Sequence, residues 1–300
     1  MPKSATRVLK KLRKLLSKLP PTALLWAAAI LVTGAAVVLG SRTVWREIAR
    51  QPQFRVHTLA IAPTDYPEYI DGARMTREVR RLLGRLPGSK SIFDRDLASA
   101  VQRELRRCPW VLHMNTVRRE MPNSLEVGLV FRKPAGIVSM NGRQYMVDGQ
   151  GHWLPDQLFK RPREWRGQCL PLIVDRMLRT PPPVGQAWDG VRLAVGARLS
   201  ELFRQKGLLK KLDLAVIDVT GVGRPNEPDI VLTTADGAQI KWGTSSVYSQ
   251  VGGLPRPAFL IPDAEKLAML FSKLSDYPDL QGIKYVDLRF RGQVVFAEDN

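Results

Sequence analysis

One stretch constrains this chain more than any other. From Thr22 to Gly40 it reads TALLWAAAILVTGAAVVLG, without a charged side chain. At about 1.5 Å of rise per residue, a helix of that length covers roughly 28 Å, close to the roughly 30 Å of hydrocarbon in a bilayer. A single membrane crossing over residues 22–40 is therefore expected. Residues 1–21 carry Lys3, Arg7, Lys10, Lys11, Arg13, Lys14 and Lys18 with no acid, whereas residues 41–50 hold Arg42, Arg46 and Arg50 against Glu47. The more basic flank stays in the cytoplasm, which puts everything after Ser41 in the periplasm or outside the cell. A cleaved secretory signal is the rival reading, with small residues at Gly34, Ala35 and Ala36. Against it, Val37, Val38 and Leu39 continue the apolar run past them, beyond the usual span of a signal core. An uncleaved anchor is expected.

The formal net charge of +18 suggests a polyanion ligand until it is divided along the chain. Residues 1–50 hold ten Lys or Arg and one Glu, and the other 250 hold 36 and 27, so half the excess sits beside the membrane. Such a segment is drawn to anionic head groups and enforces topology. Val8, Leu9, Leu12, Leu15, Leu16 and Leu19 recur at helical spacing, so the segment is expected to lie on the inner leaflet as an amphipathic helix. Beyond it the charges are mixed, without a basic stripe interleaved with aromatics, and no nucleic-acid partner is expected. The two cysteines, Cys108 and Cys169, belong to no CxxC or Cys/His cluster. That gives no support for zinc, and both a bridge and two free thiols remain open.

After the anchor the hydrophobic period changes repeatedly. RVHTLAI (55–61) reads as a strand. Val79, Leu82, Leu83 and Leu86 mark a short helix from Thr76, stopped by Pro87 and Gly88. Asp94 is a candidate N-cap for a second helix through Leu97, Val101, Leu105 and Cys108, ended by Pro109. Trp110 to Val117 and Leu125 to Phe131 read as a hairpin around Met121-Pro122-Asn123-Ser124. Strand, helix, helix, strand, strand is the layout of a POTRA domain. The runs Cys108-Pro109-Trp110-Val111, Val117 to Val127 (VRREMPNSLEV) and Arg132-Lys133-Pro134-Ala135 resemble the FtsQ/DivIB family of bacterial cell-division proteins.

Further on, YMVDGQGHWLP (145–155) resembles that family's entry into a second, β-rich domain. Asn141-Gly142 suits a type I′ hairpin, making 137–154 two turns of one meander. Strands are expected at 170–174, 212–219, 230–234 and 238–242, and helices at about 189–205 and through Leu267, Leu270, Phe271 and Leu274. VDLRFRGQVVFA (286–297) resembles the family's terminal hairpin. The expected fold class is α+β: a transmembrane helix, a POTRA domain and a mixed β-rich domain with an exposed edge strand. The expected boundaries are a cytoplasmic segment 1–21, the membrane helix 22–40, a juxtamembrane linker 41–53, the POTRA domain 54–133, the β-rich domain 134–297 and a tail 298–300. The loops 62–75 and 243–262 are longer than the family pattern suggests. Both partner contacts and inert surface insertions remain open for them.

No catalytic constellation is expected. His57, His113 and His152 stand alone in or beside strands, and Asp94 and Asp96 suit a first helical turn better than an acid/base pair. Gly84 and Gly88-Ser89-Lys90-Ser91 miss the spacing of a phosphate loop. Gly149 and Gly151 lie in a strand-to-strand turn, which is no dinucleotide cradle. No enzyme activity, cofactor or metal is expected.

Binding has better support. The last strand, Gln293 to Ala297, has no later strand to cover its outer edge, and such an edge can accept a partner strand. The resemblance implies that partners of the FtsB and FtsL type dock there, with Arg289, Phe290, Val294, Val295 and Phe296 as contacts. Core-facing roles for Phe290, Val294 and Phe296 are the bland alternative. Val294 and Phe296 should share one face and Val295 the other. The resemblance further implies contacts of other division proteins with the POTRA domain, where Trp110 and Arg118 are candidates and a hinge-side core role for Trp110 is equally open. The function it implies is a non-catalytic inner-membrane scaffold at the septum that links early and late division proteins and regulates septal peptidoglycan synthesis. An accessory POTRA protein for secretion or envelope assembly is the alternative.

Overall fold

The computed structural model describes residues 20–62, 66–86, 91–160, 170–224, 229–247 and 260–298. The expected inner-leaflet helix before residue 20, Cys169 and most of the loop 243–262 lie outside the described residues. Helix α1 (Pro21–Arg50) opens with proline in its first turn and runs thirty residues. Its stretch Ala28–Arg50 is long and apolar enough to cross a membrane, and none of that stretch is buried against the rest of the protein. The expected linker is thus helical over 41–50. Gln51 ends the helix, and a 3-10 turn follows at Pro52–Phe54.

By backbone proximity the chain forms two compact units. One comprises residues 1–57, 87–97 and 119–124, the other 58–86, 98–118 and 125–300. In the first, the Phe93 ring meets Trp45 of α1 edge-on at 5.8 Å and Phe54 at 5.0 Å. Arg119 donates to the carbonyls of Asp94 and Arg95 at 2.7 and 3.4 Å. The end of α1 thus makes one ring contact with the segment around Phe93, through a Trp45 that remains largely exposed.

Most of the expected β-α-α-β-β run falls in the second unit, with Leu97 and the β2–β3 turn at 119–124 in the first: β1 (Thr58–Ala62), α2 (Gly72–Arg85), α3 (Leu97–Arg106), β2 (Val111–Glu120) and β3 (Ser124–Phe131). Its sheet has the order β1-β3-β2. Helix α2 starts four residues before the expected Thr76, because Asp71 caps it by accepting from the Arg74 amide at 3.1 Å. Met75, Val79, Leu82 and Leu83 form its buried stripe. Trp110, a candidate for an exposed contact, is 1% exposed and stacks on Phe131 at 5.8 Å. Burying so large an apolar ring is worth more than presenting it.

Then come β4 (Pro134–Met140), β5 (Arg143–Asp148), β6 (Leu172–Val174), α4 (Val191–Gln205), α5 (Leu208–Lys211), β7 (Leu214–Asp218), β8 (Val231–Thr234), β9 (Gln239–Lys241), α6 (Asp263–Asp276), β10 (Ile283–Phe290) and β11 (Gln293–Glu298). The eight strands make one mixed sheet of order β11-β10-β9-β8-β7-β6-β4-β5. β4, β6 and β7 run parallel, as do β9 and β10. Helices α4, α5 and α6 share one core with a sheet face through Leu193, Phe203, Leu209, Leu270, Ile217, Ile240 and Val286. Two bonds pin α4 to the start of β4: Ser200 Oγ donates to Ala135 O and Arg204 to Pro134 O, both at 2.6 Å. The turn between β4 and β5 has positive φ at both Asn141 (52°) and Gly142 (74°), as a type I′ turn requires.

The first sheet and the larger one are not separated by free linker. The Ile70 backbone bridges to Phe159, and the Tyr69 and Phe159 rings stack at 6.1 Å. Arg132 donates at 2.5 Å to Asp148, whose carboxylate also receives the amides of Gln150 and His152. His152 Nδ1 lies 3.0 Å from the Arg132 guanidinium and 3.2 Å from Asp148. The histidine expected to stand alone on a sheet surface thus belongs to a half-buried ion-pair cluster.

Candidate protein-docking edge

The terminal hairpin forms where alternating apolar residues flank Arg291-Gly292, with Gly292 at φ 69°. Phe290 pairs with Gln293 across the turn, Asp287 with Val295, Val286 with Phe296 and Tyr285 with Ala297. β11 is the end strand of the sheet and has β10 as its one hydrogen-bonded neighbour. Its outer N–H and C=O groups are therefore unpaired within the sheet among the described residues, the condition under which another strand can add.

The five nominated side chains come together on this hairpin but in different environments. Phe290, Val295 and Phe296 are 49%, 41% and 38% exposed, a notable apolar content for a strand at a sheet edge. Val294 packs partly against the core. The Phe296 ring faces α6, with Lys273 Nζ 3.7 Å from its centroid and the Tyr277 ring at 6.0 Å. Tyr277 Oη donates to the Glu298 carboxylate at 3.0 Å, a bond that raises the phenol pKa above its ordinary value. Val295 projects to the opposite face, in the row that contains Asp287 and, beside it on β9, Lys241.

Arg289 has a different role from the other four. Its guanidinium forks onto Asp287, Nε to Oδ1 at 2.9 Å and Nη2 to Oδ2 at 2.6 Å, while its amide also donates to Oδ1. Burial pushes the Asp287 carboxyl up, but the hydrogen bonds and charge of Arg289 outweigh it and leave the pKa lowered. The arginine thus neutralises a buried carboxylate two residues back on its own strand, β10. Arg291 reaches Glu265 of α6 at 3.8 Å.

Behind the edge, a polar knot fixes α6 to the end of β9. Lys266, 2% exposed, donates from Nζ to the carbonyls of Trp242 at 2.7 Å and Thr244 at 2.5 Å. Asp263 accepts from Trp242 Nε1 at 2.9 Å and from Ser245 and Ser246 Oγ at 2.6 Å each. Burial lowers the Lys266 pKa to about 8 against the pull of Asp263 and Asp229. The opening of the loop 243–262 is therefore anchored, which sequence reasoning missed. The available signal was a lysine one position from Leu267 on the core side of an amphipathic helix.

Among the described residues no group of three or more His, Cys, Asp or Glu could hold a metal ion. Burial pushes the Cys108 thiol up to about 12, which makes it a poor nucleophile.

No protein-family model matches the chain. Its sequence is similar to a curated protein, the cell division protein FtsQ of Anaeromyxobacter sp. (strain K), at 32% identity over 169 residues. The match covers 56% of this chain and 50% of that protein, so the chain spans about half the length of the curated relative it matches.

Proposed function

From a sequence similarity that supports FtsQ/DivIB-like family membership and suggests a cell-division role, we propose that this chain is a non-catalytic, single-pass scaffold of the division machinery. The N-terminus is cytoplasmic and the bulk extracytoplasmic. The β-rich domain, residues 134–297, receives an extended segment of an FtsB- or FtsL-type partner along the outer edge of β11. The POTRA domain, residues 54–133, contacts other division proteins at the septum, and the assembly regulates septal peptidoglycan synthesis. The observation that carries this reading is the end position of β11 together with the exposed Phe290, Val295 and Phe296. Backbone bonds along such an edge supply affinity, and alternate side chains supply selectivity.

Val295 tests it, because its side chain is exposed and makes no hydrogen bond or ion pair. V295K in the full chain, which sets a positive charge opposite Asp287, is expected to reduce co-purification of the partner at least about tenfold, equivalent to about 1.4 kcal/mol, with an unchanged thermal melt. Partner recovery equal to wild type would sink the docking edge. In cells, a fluorescent fusion is expected at midcell and depletion is expected to give filaments. A diffuse envelope signal with normal division would defeat the division role itself.

A further inference from the structure

A second surface differs from the docking edge in kind. Helix α2 carries five arginines, Arg74, Arg77, Arg80, Arg81 and Arg85, against a single acid, Glu78. Its apolar residues Met75, Val79, Leu82 and Leu83 all point into the core, so the arginines occupy the exposed side. Arg77, Arg81 and Arg85 follow at i, i+4 and i+8, about 6 Å apart along the axis, and Arg80 flanks them. Two of the five are partly neutralised: Arg74 by Asp71 at 3.0 Å and Arg81 by Glu78 at 2.6 Å. Among the described residues no carboxylate lies within ion-pair distance of Arg77, Arg80 or Arg85. Local folding gains nothing from this concentration of like charge, since neighbouring guanidiniums on one helix face repel.

The composition of the face selects its occupant. Its other exposed positions are Ala73, Thr76 and Gly84, so it contains no aromatic or large aliphatic side chain. A protein interface needs a desolvated apolar centre around which polar contacts form a rim. β11 offers one, and α2 does not. A row of guanidiniums without an apolar anchor suits a surface that stays hydrated and presents many phosphates, to which arginine binds in a bidentate fork. Such a surface is within reach. α2 begins at Gly72, 22 positions after α1 ends at Arg50, a length of chain that extends at most about 75 Å.

We propose that the Arg77, Arg80, Arg81 and Arg85 face of α2 binds the anionic phospholipid head groups of the membrane that anchors α1, on its extracytoplasmic side. This rests on the anchored reading of α1. The contact gives the extracytoplasmic region a second, electrostatic attachment beyond its covalent tether, and it weakens as ionic strength rises.

The full chain is reconstituted in nanodiscs of phosphatidylcholine alone and of phosphatidylcholine with phosphatidylglycerol, and guanidinium reactivity is read by phenylglyoxal labelling and mass spectrometry. In the anionic discs at low salt, labelling of Arg77, Arg80 and Arg85 is expected to slow about fivefold and to recover in high salt. Arg176 on the larger domain serves as the unaffected reference. The R77Q/R80Q/R85Q variant changes only exposed positions and is expected to lose the slowing at Arg81. Equal labelling in both lipids overturns the proposal while leaving the anchor intact. So does slowing produced only by added soluble polyphosphate or polyglutamate, which would assign the face to another polyanion or to an acidic protein. A chain that enters neither disc defeats the anchor and the proposal together.

Discussion

Lys266 shows how a single buried charge is tolerated. Two carbonyls and the nearby Asp263 and Asp229 hold it, yet burial still wins and lowers its pKa to about 8. The unfolded chain keeps the ordinary lysine value, near 10.4. Between about pH 8 and 10.4 the unfolded state therefore binds more protons, and this group makes stability rise with pH across that window. Unfolding of the full chain in detergent should show the rise in wild type and its loss in K266M, a difference of up to about 3 kcal/mol. Parallel curves for the two proteins would mean that Lys266 is not the titrating group. Arg289 teaches a related lesson. The resemblance makes it a partner contact, but its guanidinium already serves Asp287, so its mutation would leave a buried carboxylate without its cation as well as alter any docking.

At the scale of elements, α4 lies very close to the sheet it covers. A Cβ on Gly196 would stand 2.8 Å from Ile173 Cγ2 and 3.0 Å from Val219 Cγ1. The missing side chain is what lets the helix approach, although glycine costs about 1 kcal/mol of helix propensity relative to alanine. G196L should destabilise the protein by about 1–3 kcal/mol and lower the melting temperature by roughly 3–10 °C. An unchanged melt would show that the helix can lift away without cost. The terminal hairpin is an element of another kind, with a packed face through Val294 and an outer edge that the sheet leaves unpaired. Elements that bind partner strands have this asymmetry, because affinity comes from backbone groups that folding does not consume.

For the whole molecule, topology is the property most open to a direct check. The uncharged run inside α1 and the basic residues before it predict opposite sides for the two ends. Alkaline phosphatase fused after Glu298 is expected to be active, and fused before Pro20 to be inactive. The reverse pattern would overturn the proposed orientation. The helix does not stop where its apolar run stops. Residues 41–50 continue it, and Trp45 packs on Phe93. W45A should leave insertion intact while raising trypsin cleavage after Arg50 and Arg55 about fivefold or more, the change expected if about 1 kcal/mol of aromatic contact holds that segment closed. Unaltered cleavage would show that the ring pair does not restrain it.

The local pattern of the chain determined much of this architecture. Nineteen uncharged residues, a buried stripe on α2, two prolines closing helices and Asn-Gly in a hairpin act within a few residues of themselves, so they can be read without a fold. The β-α-α-β-β order and the terminal hairpin followed from them. Tertiary structure decided what depends on distant partners. The parallel pairing of β4 with β6 and of β9 with β10 leaves no local mark. Trp110 was left undecided between surface and core until Phe131 stacked on it. His152 met the Arg132–Asp148 pair only once Arg132 came within reach of both, and Lys266 became a structural charge only where two carbonyls converged. Periodicity specifies which face of an element is apolar. Which element covers that face, and which polar group survives beneath it, is fixed by packing and desolvation summed over the whole fold.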